Sequence, residues 1–185
     1  MGKYVKTNGK KANKINFIWS FKLMIIAALI SVILSFISEI AMKDVNLLVG
    51  TIIILIFIGL GILFDMIGVA VTSALEAPLH SMCSKKIKGA KMAIKLKKNS
   101  DKVSSFCCDV IGDICGVVSG AAGVAIALSI SEIFGISNMI SNLIVTGIVA
   151  SLTIGGKSLE KPIAINNGNK ILFRFAKVLS IFSKE

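Results

Sequence analysis

The chain has 185 residues, 55% of them hydrophobic and only 17% charged, with a mean hydropathy of +0.85. An ordinary soluble domain carries about a quarter charged residues, so these values exclude that class and point to membrane helices. The net charge of +11 does not indicate nucleic acid, because the basic residues are segregated between long apolar runs, and one Trp and one Tyr offer no stacking platform.

In chain order, residues 1–22 form a basic head (MGKYVKTNGKKANK and onward). The apolar run behind it exceeds the about 7–15 residues of a signal-peptide core, and no A-x-A-like site follows closely, so it is read as a span. That span is Leu23 to Ala41, uncharged until Glu39. A second runs from Leu47 to about Val71, interrupted by Asp65. A third runs from about Val103 to Ile130 and carries Asp109 and Asp113; a fourth, Met139 to Gly156, has no charge. Each approaches the ~20 residues that cross ~30 Å of hydrocarbon. The expected fold class is an all-α membrane protein with about four transmembrane helices plus cytoplasmic amphipathic helices.

Orientation follows from the 21 Lys and Arg. Lys43 is the one basic residue in the connections between spans one and two and between spans three and four; the rest lie in the head, in residues 72–102 and after span four. By the positive-inside bias, both termini and the middle segment face the cytoplasm of a multi-pass cell-membrane protein. The middle segment has helix-forming composition, and Pro78 and Gly89 are expected to divide it into short helices. In the tail, residues 157–185, Ile171, Phe175, Val178 and Phe182 share one helical face and Lys170, Arg174 and Lys177 another. Such a helix either lies on anionic lipid headgroups or docks on the protein's own surface.

Asp65, Asp109 and Asp113 are ionisable groups within apolar spans, which are costly there and face a protein interior or a water-filled cavity. Asp109 and Asp113 are four apart, so a helix places them on one face. Counting helix rise from the outer ends of the spans puts Asp65, Asp113 and Lys157 at one level near the cytoplasmic boundary. Two readings stay open: a cation site of hard oxygens, such as magnesium requires, with Lys157 as competitor or gate, or a structural ion pair between helices. Gly112, Gly116 and Gly120 recur at four-residue spacing, as in close helix packing or a bend. Gly155–Gly156 is read as the end of span four. The four cysteines form no C-x-x-C pair and read as small packing residues, and His80 is a lone headgroup-level polar residue. No G-x-S-x-G, H-E-x-x-H or Walker loop occurs, so an enzyme is not expected.

An apolar span, a basic helical stretch GAKMAIKLKKNSDKVSS, a small-residue span and a final GGKSLEKPIAINNGNKI together resemble the transmembrane domain of the CorB/CorC and cyclin M family, over roughly residues 47–183. That resemblance implies a magnesium or cobalt transport domain at 47–156, a homodimer, and a cation held near Asp65, Asp109 and Asp113. Departures accompany it. Lys157 stands where the family has a cation-binding acid, and Glu160 replaces the motif's proline. An extra span at 23–41 precedes the match, and the nucleotide-binding CBS and terminal modules are absent from this sequence. The resemblance thus leaves two functions: a divalent-cation transporter, divergent from its relatives, or a non-transporting membrane adaptor or regulatory subunit in which Lys157 replaces the bound cation.

Overall fold

The computed structural model describes residues 17–42 and 46–182, excepting the side chains of residues 17–20, 41–42 and 182. The basic head up to residue 16 lies outside them. The described residues are helical apart from short connections, with no strand among them. The order is α1 (Phe17–Met42), α2 (Leu47–Ser73), α3 (Glu76–Ser84), α4 (Ala90–Lys98) and α5 (Ser100–Ser104). α5 continues through a π-helical segment, Ser105–Gly112, into α6 (Asp113–Phe134); α7 (Asn138–Asn166) and α8 (Gly168–Phe182) follow.

Four helices are long and apolar enough to cross a membrane: Phe21–Ile40, Leu47–Ser73, Ser100–Phe134 and Asn138–Asn166. Their outward faces are largely apolar. Leu29, Val32, Phe36, Leu48, Leu63, Leu143 and Ile154 all project from the outside of the bundle. A helix apolar all round needs an apolar surround on its outward face as well as its packed one.

α2 is the central helix. At the end carrying the α1–α2 and α6–α7 connections, Ile54 and Ile58 of α2 meet Ala122 and Ile126 of α6 and Val149 of α7. α1 is the least enclosed, packing through Leu23, Ala27, Ile30 and Leu34 on Val110, Ile114 and Val118. At the opposite end Val71, Ala74, Leu79, Ala93, Leu172 and Ala176 form a core that joins α2 to α3, α4 and α8. Leu79 and Leu172 are fully enclosed there, each contributing about 1.5–3 kcal/mol by burial. Lys97 Nζ donates to the carbonyl oxygens of Val71 (3.2 Å) and Thr72 (2.8 Å). A cation at these last free carbonyls complements the helix dipole. Asn169 bridges the same end, accepting from Leu75 N–H at 2.7 Å and donating to its carbonyl at 3.1 Å.

Two sequence expectations are corrected. Span four does not stop at Gly155–Gly156: α7 runs on to Asn166, through Pro162. Gly156 is instead the place where Ile62 of α2 presses on α7, since a Cβ there would overlap Ile62 Cδ1. Packing therefore overrides the about 1 kcal/mol helix cost of a glycine. Pro78 does not break the middle segment; it sits in the first turn of α3, where its missing N–H costs little. The break falls at Ala74–Leu75, and Gly89, at φ +89°, opens α4. Of the expected packing glycines, only Gly112 is in close approach, to Cys107 and Gly61, whereas a Cβ on Gly116 or Gly120 would meet nothing within 4 Å.

The tail helix docks on the protein by a face other than the predicted one. Leu172 and Ala176 are buried, while Val178 and Ile181 stay exposed beside Arg174 and Lys177.

Candidate functional site

α2, α6 and α7 each carry one charged side chain to a common point. Lys157 Nζ on α7 lies 3.4 Å from Asp113 Oδ1 at the start of α6 and 3.9 Å from Asp65 Oδ1 on α2. By helix rise the three lie about 28, 32 and 27 Å from the far ends of their helices. The partners differ in setting: the Asp65 side chain is 9% exposed, Lys157 23% and Asp113 70%. The inner pair is held away from solvent, and the outer one is open.

The backbone makes room for this meeting. Gly61 and Gly112 let α2 and the third long helix approach so closely that a Cβ on Gly61 would stand 3.2 Å from Cys115 Cβ. A Cβ on Gly112 would be 3.6 Å from Lys157 Nζ itself. Two turns further along α2, Gly68 accommodates Cys108, whose thiol donates to the Asp65 carbonyl at 3.5 Å. Cys108 belongs to the π-helical segment, and such wide turns recur at functional sites. All four cysteines are free thiols.

Glu160 is the residue that sequence reasoning missed. It is 5% exposed, and neither carboxyl oxygen has a hydrogen-bond partner among the described residues. The charged groups acting on it are Asp65, Lys161 and Lys157. Asp65 can pair with it only through a shared proton, because two carboxylates have none to donate to one another. Its signal was its place three residues after Lys157, one helical turn on the same face. Ending span four at Gly156 moved it into the tail and hid that relation.

Asp109 is exposed and enters no ion pair among the described residues. No group of three or more His, Cys, Asp or Glu side chains that could hold a metal ion occurs among the described residues. Of the expected ligand set of Asp65, Asp109 and Asp113, the structure brings Asp65 and Asp113 to one point and leaves Asp109 on the exposed surface. An ammonium takes the space between two of the acids, and the third faces outward. His80 is exposed on α3, away from this cluster.

No family model, curated protein or solved structure matches the chain. The resemblance to the CorB/CorC and cyclin M family thus stands on the residues quoted for it.

Proposed function

We propose that this chain is a multi-pass protein of the cell membrane, with four spans and with its termini and residues 72–102 in the cytoplasm. Within it, Lys157 acts as a tethered cation that takes the place of a bound metal ion. The chain is then a non-transporting membrane adaptor or regulatory subunit, and no enzymatic activity is assigned to it. The apolar outer faces of the four long helices support insertion, and the segregation of the lysines supports the orientation.

One observation carries the functional reading: the Lys157 ammonium stands between Asp65 and Asp113. A charge fixed covalently to α7 neutralises these acids without the dehydration a magnesium ion would undergo. Purified protein in proteoliposomes, loaded with a magnesium- or cobalt-sensitive dye, is expected to pass neither ion faster than empty vesicles. Flux of either ion above that baseline would overturn the reading.

A second reading, a divergent magnesium or cobalt transporter, is favoured by Glu160. A buried carboxyl with unpartnered oxygens beside Asp65 offers the hard ligands magnesium takes. In that reading Lys157 is a gate that the arriving ion displaces, and the same flux measurement decides between the two.

A further inference from the structure

The end of the protein formed by α3, α4 and α8 contains a cavity of about 730 Å³ between the α3–α4 turn and the last turns of α8. Lys86, Lys88, Lys91 and Lys177 line it, and among the described residues no acidic side chain does. None of the four is within ion-pair distance of a carboxylate among the described residues. Like charges gathered around one void repel, and a bound anion removes that repulsion while gaining several charge-assisted hydrogen bonds. The cavity is held by close backbone packing rather than by flexible side chains alone. Gly89 opens α4 at φ +89°, so close to α8 that a Cβ on it would stand 3.0 Å from Lys177 Cα.

The same rim is apolar in part. Ile87 is 42% exposed and Ile181 75% exposed, and both line the cavity beside the lysines. A free phosphate would leave these aliphatic groups in water, whereas a phospholipid covers them with acyl carbons. The location agrees. α8 begins against the end of α2, with Gly168 so near Ser73 that a Cβ would lie 2.7 Å from its hydroxyl. If α2 crosses the bilayer, α8 starts at the cytoplasmic boundary, and with α8 running along the membrane surface the cavity toward its other end, about 14–20 Å on, lies at headgroup level.

We propose that this cavity binds the phosphorylated headgroup of an anionic membrane phospholipid, with the four lysines around the phosphate and Ile87 and Ile181 against the first acyl carbons. The inference rests on the membrane reading above and gives it a defined lipid site, distinct from diffuse attraction of basic residues to the bilayer.

The test uses the full chain purified in neutral detergent. Dioctanoyl phosphatidic acid, dioctanoyl phosphatidylcholine and inorganic phosphate are titrated in separate arms, with binding read by native mass spectrometry and calorimetry. Wild type is expected to bind phosphatidic acid at least about tenfold more tightly than either other probe. Lys88→Gln/Lys91→Gln/Lys177→Gln should lose at least about tenfold. Lys95→Gln/Lys98→Gln/Lys170→Gln, which removes equal charge elsewhere, should lose less than about threefold. All six residues are exposed, and circular dichroism checks that both variants remain helical; the single Lys177→Gln serves as a milder second variant. Equal loss in the two triple variants would overturn the cavity in favour of diffuse charge. Inorganic phosphate binding as tightly as the lipid would overturn the lipid assignment. Carbonate extraction of native membranes separates the two claims. Protein that resists extraction yet shows no lipid preference contradicts the cavity alone, and protein that is extracted contradicts the membrane reading and the lipid site with it.

Discussion

Lys157 Nζ stands 3.9 Å from Asp65 Oδ1, joining α7 to α2 through an acid that is almost wholly enclosed. The same ammonium reaches Asp113 at 3.4 Å, but that carboxylate is 70% exposed and can be solvated at the bundle surface. The shorter contact is therefore the weaker constraint, because exposure screens it. Burial makes the longer one consequential: removing Lys157 leaves Asp65 enclosed with a second acid, Glu160, as its neighbour.

This asymmetry predicts unequal costs. Asp113→Asn should lower stability by less than about 1 kcal/mol, as expected of an exposed pair. Lys157→Met should lower it by about 1–3 kcal/mol, the penalty of stranding an enclosed polar group. Thermal unfolding of the detergent-solubilised variants checks the order, and an Asp113→Asn loss as large as that of Lys157→Met would refute it.

Glu160 should respond in the opposite direction. Both its oxygens lack partners, and Asp65 beside it is a second acid. Glu160→Gln removes one of two neighbouring acids and supplies N–H donors that Asp65 can accept. An increase of about 1 kcal/mol in stability is expected. A clear decrease would show that Glu160 is already compensated and would contradict this account of it.

The glycines separate into two groups. Gly89→Ala would place a side chain at φ +89° and against the α8 backbone, costing at least about 1–2 kcal/mol. Gly116→Ala and Gly120→Ala meet nothing within 4 Å, and in mid-helix each should be neutral or stabilising by up to about 1 kcal/mol. Thermal midpoints of the three variants test this. Destabilisation by the latter two would mean that a second copy of the chain packs on that face, the homodimer the family resemblance implies.

Topology is open to labelling. In a cysteine-free background, single cysteines near Asp44 and Ser137 should react with impermeant maleimide from outside intact cells. Those near Lys86 and Lys184 should react only after permeabilisation. Reaction near Lys86 from outside would contradict the four-span arrangement.

Much of this architecture could be read from residue patterns. Long uncharged runs declare spans because length and hydropathy suffice for that inference. The convergence of Asp65, Asp113 and Lys157 could be anticipated because a helix converts residue number into depth. What could not be read was contact-dependent. Gly155–Gly156 has the composition of a helix stop, and only the contact of Ile62 with Gly156 accounts for glycine inside a continuing helix. Glu160 was lost with that stop. The π-helical segment at Ser105–Gly112 has no compositional mark, and it is seen only where Cys108 settles against Gly68 and Asp65. Gly112, Gly116 and Gly120 share a spacing, yet only the first has a neighbouring backbone to approach.

The central claim is that Lys157 does the electrostatic work of a bound cation, and a double-mutant cycle with magnesium tests it most directly. Thermal unfolding is measured for the wild type, Lys157→Met, Asp65→Asn and the combination, each with and without millimolar magnesium. The account predicts no magnesium effect on the wild type, a loss in Lys157→Met, and partial recovery when Asp65→Asn removes the stranded acid, a coupling of about 0.5–3 kcal/mol. Wild-type protein stabilised by magnesium, with that effect abolished by Asp65→Asn, would contradict it. So would strict additivity of the two substitutions.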